Sequence, residues 1–153
     1  MIPTTFATLD ELRVAAGREL GWTGWEDITQ ERVNLFADAT GDHQWIHVDV
    51  ERATAESPFG GPIAHGYLTL ALSNLFLPQL IEVPGASAGI NYGTGKVRFP
   101  SPVPVGSRVR GGATITAVDE IAGGVQTTIT ITIQIEGQDK PACVIESLTR
   151  WLA

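Results

Sequence analysis

Cysteine is nearly missing from this sequence, and its scarcity bears on where the protein works. Cys143 is the only cysteine among 153 residues, so no disulfide can form within the chain. It lies in a strand-like apolar stretch, which predicts a buried and unreactive side chain. The first six residues lack the basic and apolar regions of a signal peptide. We therefore expect a protein of the reducing cytoplasm.

Positive charge is also scarce. Lys and Arg together number 10 and Asp and Glu 17, which gives a formal net charge of −7. Nucleic-acid affinity depends largely on clustered basic side chains, so a nucleic-acid partner is not expected. Small phosphorylated ligands stay compatible with this composition.

No apolar run is long and uninterrupted enough to cross a membrane. Residues 63–81 come nearest in length, but His65, Asn74, Pro78 and Gln79 interrupt them. A helix over residues 64–80 carries apolar side chains on every side, which predicts that other elements surround it. The segment is therefore predicted to be a core helix.

The second half of the chain contains what could surround that helix. Four strand-like stretches lie near 87–99, 105–119, 124–136 and 141–152, with Gly or Pro between them and no intervening helix. Such strands pair largely antiparallel. In residues 125–135, Val and Ile alternate with Thr and Gln, so one face of the strand meets the core. We predict an α+β fold in one domain, residues 1–153, with an antiparallel sheet covering one helix.

Polar residues before the core helix predict short elements and a loop. Thr8 and Glu11 form a capping box for a first helix, and residues 18–25 indicate a weak strand. Thr29 caps a second helix that ends at Gly41, and Asp49 caps a third that runs through Ala55. Asp42 is thereby predicted to lie in a loop.

All three histidines fall within residues 43–65. Asp42 and His47 lie five positions apart in the predicted loop, where a carboxylate and an imidazole can converge on one water molecule. His43 and His47 also have the i, i+4 spacing of a metal pair, with Asp42, Asp49 and His65 as further ligands. We favour a site without metal, because the intervening residues do not indicate a helix.

A glycine-rich turn, residues 60–66, leads into the core helix. The first N–H groups of a helix are unpaired and lie at its positive end, where they can stabilise a developing oxyanion. Gly66 has no side chain to keep a substrate carbonyl from the backbone. His65 is expected to shape the helix start through hydrogen bonding.

Three segments carry a resemblance to a known family. Residues 36–49 read Phe-Ala-Asp-Ala-Thr-Gly-Asp-His-Gln-Trp-Ile-His-Val-Asp, and residues 59–68 read Phe-Gly-Gly-Pro-Ile-Ala-His-Gly-Tyr-Leu. Lys-Val-Arg-Phe at 96–99 and Pro-Val-Gly-Ser at 104–107 complete the pattern. The chain resembles the MaoC-like dehydratases, or (R)-specific 2-enoyl-CoA hydratases, and among them the nodulation protein N-like group. The resemblance implies a hot-dog fold, in which a curved antiparallel sheet wraps a long central helix, and a homodimer.

The resemblance also implies an activity. Members of this family add water reversibly to trans-2-enoyl-CoA to give (R)-3-hydroxyacyl-CoA, without a cofactor or metal. Asp42 and His47 would be the catalytic pair and Gly66 the backbone oxyanion donor. Which of the two side chains is the base is left open, because the pair can share the proton.

Further residues are candidates for contacts with the substrate. The acyl-CoA thioester would meet Gln44, Trp45, His65, Tyr67, Asn91, Tyr92, Lys96 and Arg98. Lys96 and Arg98 share a strand face and could bind CoA phosphates, or they could be solvated surface residues. Two departures from the family pattern are Gln44-Trp45, where many members have Asn-Pro, and Asn74, where some members have a hydroxyl.

Two other functions fit the same pattern. A hot-dog acyl-CoA thioesterase would use an activated water on the carbonyl carbon. A non-catalytic acyl-CoA binding module would bind CoA esters without turnover. The presence of both Asp42 and His47 argues against the second.

Overall fold

The computed structural model describes residues 2–153 as a set of short helices packed on one face of an antiparallel sheet. In chain order the elements are β1 (Thr4–Thr5), α1 (Leu9–Arg13), β2 (Glu19–Trp22), β3 (Glu26–Asp27), α2 (Gln30–Thr40), α3 (Trp45–Val48), α4 (Val50–Glu56), α5 (Gly66–Ala71), α6 (Ser73–Leu80), β4 (Ile81–Glu82), β5 (Ala88–Arg98), β6 (Arg108–Ile121), β7 (Gly124–Ile135) and β8 (Cys143–Leu152).

The main sheet has the strand order β2–β6–β7–β8–β5, and β3 also pairs with β6. All of these pairings are antiparallel, as predicted for the four long strands. At the centre of the sheet, Ile131 lies between Ala113 and Ile145. Its buried neighbours along β7 repeat every second residue, because successive side chains of a strand point to opposite faces. The alternation therefore selects the face that meets the helices.

The central helix consists of α5 and α6, which are separated at Leu72. Its core face is formed by Leu68, Leu72, Phe76 and Leu80, all buried. Phe76 is 1% exposed, and burial of a side chain of this size contributes about 1.5–3 kcal/mol. A Cβ on Gly111 would lie 2.7 Å from the Phe76 side chain, so the glycine lets the helix approach the sheet.

The predicted burial of this helix on every side is wrong for the single chain. Tyr67 is 72% exposed and Leu75 38% exposed. The reason is geometric, because the sheet covers one side of α5 and α6 while the opposite side faces outward. No helix in residues 2–153 is long and apolar enough to cross a membrane.

The predicted helix caps are confirmed. Thr8 Oγ1 accepts a hydrogen bond from the N–H of Glu11, and Thr29 Oγ1 accepts one from the N–H of Arg32. Gly41 ends α2 with φ 82°, a conformation that favours glycine. The loop predicted between Asp42 and His47 needs a correction, because its second half forms the single helical turn α3. One turn is too short for periodicity to reveal.

Candidate active site

Asp42 follows the end of α2 directly, as predicted. Its carboxylate accepts a hydrogen bond from the N–H of Gln44, with Oδ1 and N 3.3 Å apart. Its N–H donates to Thr40 Oγ1 at 3.4 Å, so local bonds on both sides shape this turn. The Asp42 side chain is 53% exposed. It is thus available to a ligand.

His47 is buried, with 8% of its surface exposed. Its ring Nδ1 donates to the backbone carbonyl of Ile63, 2.7 Å away. Since a carbonyl only accepts, the neutral ring carries its proton on Nδ1 and keeps the lone pair of Nε2 for other chemistry. Gln30 Nε2 donates to the His47 carbonyl at 2.8 Å and fixes the backbone of α3.

His65 precedes the first residue of α5 and is 3% exposed. Its Nε2 donates to the backbone carbonyl of Asp42 at 3.0 Å and lies 3.9 Å from Asp42 Oδ2. Its ring stacks on His47, with centroids 3.9 Å apart and an interplanar angle of 25°. The ring of Phe36 packs on it at 4.9 Å. His65 therefore links the two residues predicted to be catalytic.

These residues meet in one cavity of about 180 Å³. It is lined by Phe36, Thr40, Asp42, His47, His65, Gly66 and Tyr67. One carboxylate oxygen of Asp42 and one ring nitrogen each of His47 and His65 lie within 4.8 Å of one another. The cavity thus brings a carboxylate and an imidazole to the amino end of α5.

Two larger cavities adjoin this one and share different residues with it. A cavity of about 400 Å³ shares Phe36 and Tyr67 with it and continues along α5 and α6 past Asn74. A cavity of about 300 Å³ shares His47 and Gly66 with it and reaches Phe99 and Ala142. Space therefore extends from the Asp42 and His47 side chains in two directions.

Among the predicted substrate-binding residues, only His65 and Tyr67 line the 180 Å³ cavity. Asn91 lines the 400 Å³ cavity beside it. None of Gln44, Trp45, Tyr92, Lys96 and Arg98 lines either of these two cavities. The Arg52 guanidinium lies 4.3 Å from the Trp45 ring and that of Arg150 lies 3.5 Å from the Tyr92 ring. These two aromatic rings therefore have partners within the chain.

The remaining site predictions concern Asn74 and the edge cations. Asn74 and Ser73 lie at the start of α6 and line the 400 Å³ cavity, outside the 180 Å³ cavity that contains Asp42 and His47. Lys96 and Arg98 are exposed residues near the end of β5, the edge strand of the main sheet.

His43 and Cys143, which the sequence analysis also considered, lie outside the 180 Å³ cavity. His43 Nε2 bonds Asp38 Oδ1 at 2.9 Å, and this hydrogen bond raises the pKa of His43. Burial raises the pKa of the Cys143 thiol to about 11, in agreement with the predicted inert side chain.

A metal ion could be held by Asp42, His47 and His65, whose types suit zinc. The metal ligands considered from the sequence spacing form a different set, because that set starts from His43. The His43 ring is hydrogen-bonded to Asp38 instead. Two of the ring nitrogens, Nδ1 of His47 and Nε2 of His65, already form hydrogen bonds to backbone carbonyls. An ion bound through either nitrogen would replace that hydrogen bond. The prediction of a metal-free site remains a prediction.

Sequence reasoning missed three groups that shape the site. They are the Ile63 carbonyl, the Gln30 amide and the Thr40 hydroxyl. Ile63 acts through its backbone, so its residue type carries no signal. Gln30 lies 17 positions before His47, and only the tertiary fold brings them together.

A curved antiparallel sheet packed against a central helix is the arrangement of the hot-dog class of proteins. Residues 12–136 match the MaoC-like domain family, and the chain belongs to that family. The predicted fold and family are thereby confirmed.

Named relatives are similar over nearly the whole chain. The chain is 55% identical over 150 residues to 3-hydroxyacyl-thioester dehydratase Z of Mycobacterium tuberculosis, covering 97% of this chain and 99% of the relative. It is 45% identical over 151 residues to nodulation protein N of Rhizobium meliloti, covering 95% and 89%. The solved (R)-hydratase of A. caviae involved in PHA biosynthesis superposes with a TM-score of 0.73 at 25% identity, covering 89% and 96%.

Proposed function

We propose that this protein is an (R)-specific enoyl-CoA hydratase, which adds water reversibly to trans-2-enoyl-CoA to give (R)-3-hydroxyacyl-CoA. The observation that carries the proposal is the carboxylate of Asp42 and the imidazole of His47 within 4.8 Å in one cavity at the start of α5. The names of the relatives, a 3-hydroxyacyl-thioester dehydratase and an (R)-hydratase, support the reaction and its stereochemistry.

The catalytic water is held between Asp42 and His47. The gap between the carboxylate oxygen of Asp42 and the ring nitrogen of His47 is no more than 4.8 Å. It suits one water molecule that bonds both groups at about 2.8 Å each. One of the two groups removes a proton as the water oxygen attacks the β-carbon, and a proton returns to the α-carbon.

The N–H of Gly66 stabilises the negative charge that builds on the thioester oxygen. As the first residue of α5, Gly66 has an N–H without an intrahelical acceptor. A Cβ on Gly66 would be 3.4 Å from the Phe99 ring, an ordinary contact, and the backbone there is not left-handed. The fold itself therefore tolerates a side chain, which supports approach of a ligand as the reason for glycine.

The two adjoining cavities suit the two arms of a thioester. The 400 Å³ cavity, lined by Tyr67 and Asn91 among others, would take the acyl chain. The pantetheine arm would leave by the other side, towards Phe99 and the end of β5. Lys96 and Arg98 would there meet the CoA phosphates. Gln44, Trp45 and Tyr92 are proposed to border the bound substrate from outside the cavity.

We further propose that the chain, a single domain, works as a homodimer in the cytoplasm. β5 is an 11-residue edge strand on which Ile90 and Tyr92 are 47% and 56% exposed. An edge strand of this length that exposes apolar side chains favours pairing with a second copy. The exposed side of α5 and α6 lies beside it, so pairing there would also cover Tyr67.

A thioesterase is the rival that shares these groups, because it needs an activated water and an oxyanion site as well. The decisive experiment follows enoyl absorbance and free thiol release in parallel, with trans-2-enoyl-CoA esters of increasing chain length. Loss of absorbance without thiol release supports the hydratase. Thiol release at the same rate as substrate loss overturns it in favour of the thioesterase. CoA-ester binding without either signal would indicate a non-catalytic binding module.

A further inference from the structure

His65 makes contacts that the proposed reaction does not use. Its ring is 97% removed from solvent, with 3% exposed. Its Nε2 holds the backbone carbonyl of Asp42 at 3.0 Å, and its ring lies on that of His47 with centroids 3.9 Å apart. One buried side chain therefore touches both members of the catalytic pair.

The bonding of the two rings assigns opposite tautomers to them. The Asp42 carbonyl places the proton of His65 on Nε2, whereas the Ile63 carbonyl places that of His47 on Nδ1. Nδ1 of His65 is buried and has no hydrogen-bond partner among residues 2–153. The contacts of His65 with Asp42 and His47 are therefore made through Nε2 and through the ring face, and neither involves Nδ1.

We propose that His65 is a positioning residue, which sets the distance between the Asp42 carboxylate and the His47 imidazole. Its Nε2–H ties the turn after α2 to the start of α5, and its ring face fixes the plane of His47. The inference rests on the proposed function, since it concerns the geometry of that catalytic pair. A displacement of about 1 Å at such a pair can cost roughly 100-fold in rate.

Two substitutions separate the contacts. His65→Gln keeps an amide N–H as many bonds from Cβ as Nε2 is, so it retains a donor for the Asp42 carbonyl and loses the ring. His65→Phe keeps a ring to stack on His47 and loses the donor. His65→Ala loses both. His43→Gln is the matched control, because His43 bonds Asp38 and lies outside the cavity.

We expect kcat to fall by about 10-fold for the Gln and Phe variants and by about 100-fold for His65→Ala, with KM within about threefold of the wild type. In an Asp42→Asn background, His65→Ala should lower kcat little further, because His65 acts through Asp42 and the two effects are not additive. His43→Gln should keep kcat within about twofold. A raised KM with unchanged kcat would make His65 a substrate contact and overturn the proposal. Unchanged kcat and KM would overturn it too.

A second measurement needs no variant. Nuclear magnetic resonance of histidine ¹⁵N-labelled wild-type protein reports which ring nitrogen carries the proton. Protons on Nε2 of His65 and Nδ1 of His47 support the proposal, and any other pair of tautomers overturns it, even if the His65 variants fail to fold. If the wild-type protein showed no hydration activity, only the proposed function would be refuted. The tautomers would still test whether His65 and His47 are bonded as described.

Discussion

Two walls of the 180 Å³ cavity at the start of α5 differ in how many contacts within the chain hold their side chains. On one wall His47 and His65 are 8% and 3% exposed, stack on each other and each donate to a backbone carbonyl. On the other wall the Asp42 side chain is 53% exposed and Tyr67 72% exposed. The imidazole is therefore held in place by contacts within one chain, whereas the carboxylate lies on a wall that is open to solvent.

The largest effect on kcat is expected when one proposed catalytic group is removed from either wall. Asp42→Asn and His47→Gln should each lower kcat by at least about 100-fold, because each loses a general acid or base. Hydration of a short enoyl-CoA, followed by loss of enoyl absorbance, measures the effect. Asp38→Asn is the matched control, since Asp38 is exposed and bonds His43. A variant that keeps wild-type turnover would remove its residue from the mechanism.

The second test adds a methyl group where the walls meet. Gly66→Ala should reduce kcat by roughly 10- to 100-fold, somewhat less than the 10²–10³ expected for loss of a whole oxyanion donor. The melting temperature should stay close to wild type, because the added Cβ meets only the Phe99 ring at 3.4 Å. Gly61→Ala, in open space, controls for helix and turn effects. Full activity in Gly66→Ala would exclude close approach of the substrate at this residue.

The third test asks whether a second copy covers the exposed wall. Ile90→Glu places like charges on the free edge of β5, which should weaken a homodimer at least tenfold in dissociation constant. Analytical ultracentrifugation over a concentration series measures this. Val14→Glu is the control, since Val14 follows α1 and is 85% exposed. An unchanged dimer in Ile90→Glu would place the interface elsewhere.

The smallest effect is expected beyond the 300 Å³ cavity, on the His47 side near the end of β5. Lys96→Ala and Arg98→Ala should each raise KM for a CoA ester by roughly threefold to tenfold and leave kcat unchanged, because exposed ion pairs contribute little. The increase should shrink at high ionic strength, where surface charges are screened. Lys140→Ala, between β7 and β8, provides the control. If Lys96→Ala and Arg98→Ala had the same KM as the Lys140→Ala control, these two cations would be only solvated surface residues.

Much of the fold could be predicted because its signals are local. The Val and Ile alternation in residues 125–135 indicated β7, and Thr29 with Gly41 bounded α2 within a residue. The boundaries of the four long strands followed from Gly and Pro. The short turn α3 was missed, since four residues carry no period, and the exposed side of α5 was missed because composition cannot say which faces find a partner.

The candidate site likewise contains residues that the sequence predicted and groups that it could not predict. The motif placed Asp42, His47 and Gly66 together, and the structure brings all three to one cavity. The Ile63 carbonyl and the Gln30 amide could not be predicted, because a backbone acceptor has no residue signature and Gln30 is remote in sequence. The same holds for the stacking of His65 on His47.

The chemical groups of this protein and the apolar faces of its strands follow directly from the order of its residues, since both are properties of near neighbours along the chain. The packing of the helices on the sheet fixes which nitrogen of His47 is free, which side chains of the cavity are buried and which of the long strands lies at a sheet edge. These depend on bonds such as those of Ile63 to His47 and His65 to Asp42, which span 16 and 23 positions. Such bonds form only when the helices have packed on the sheet.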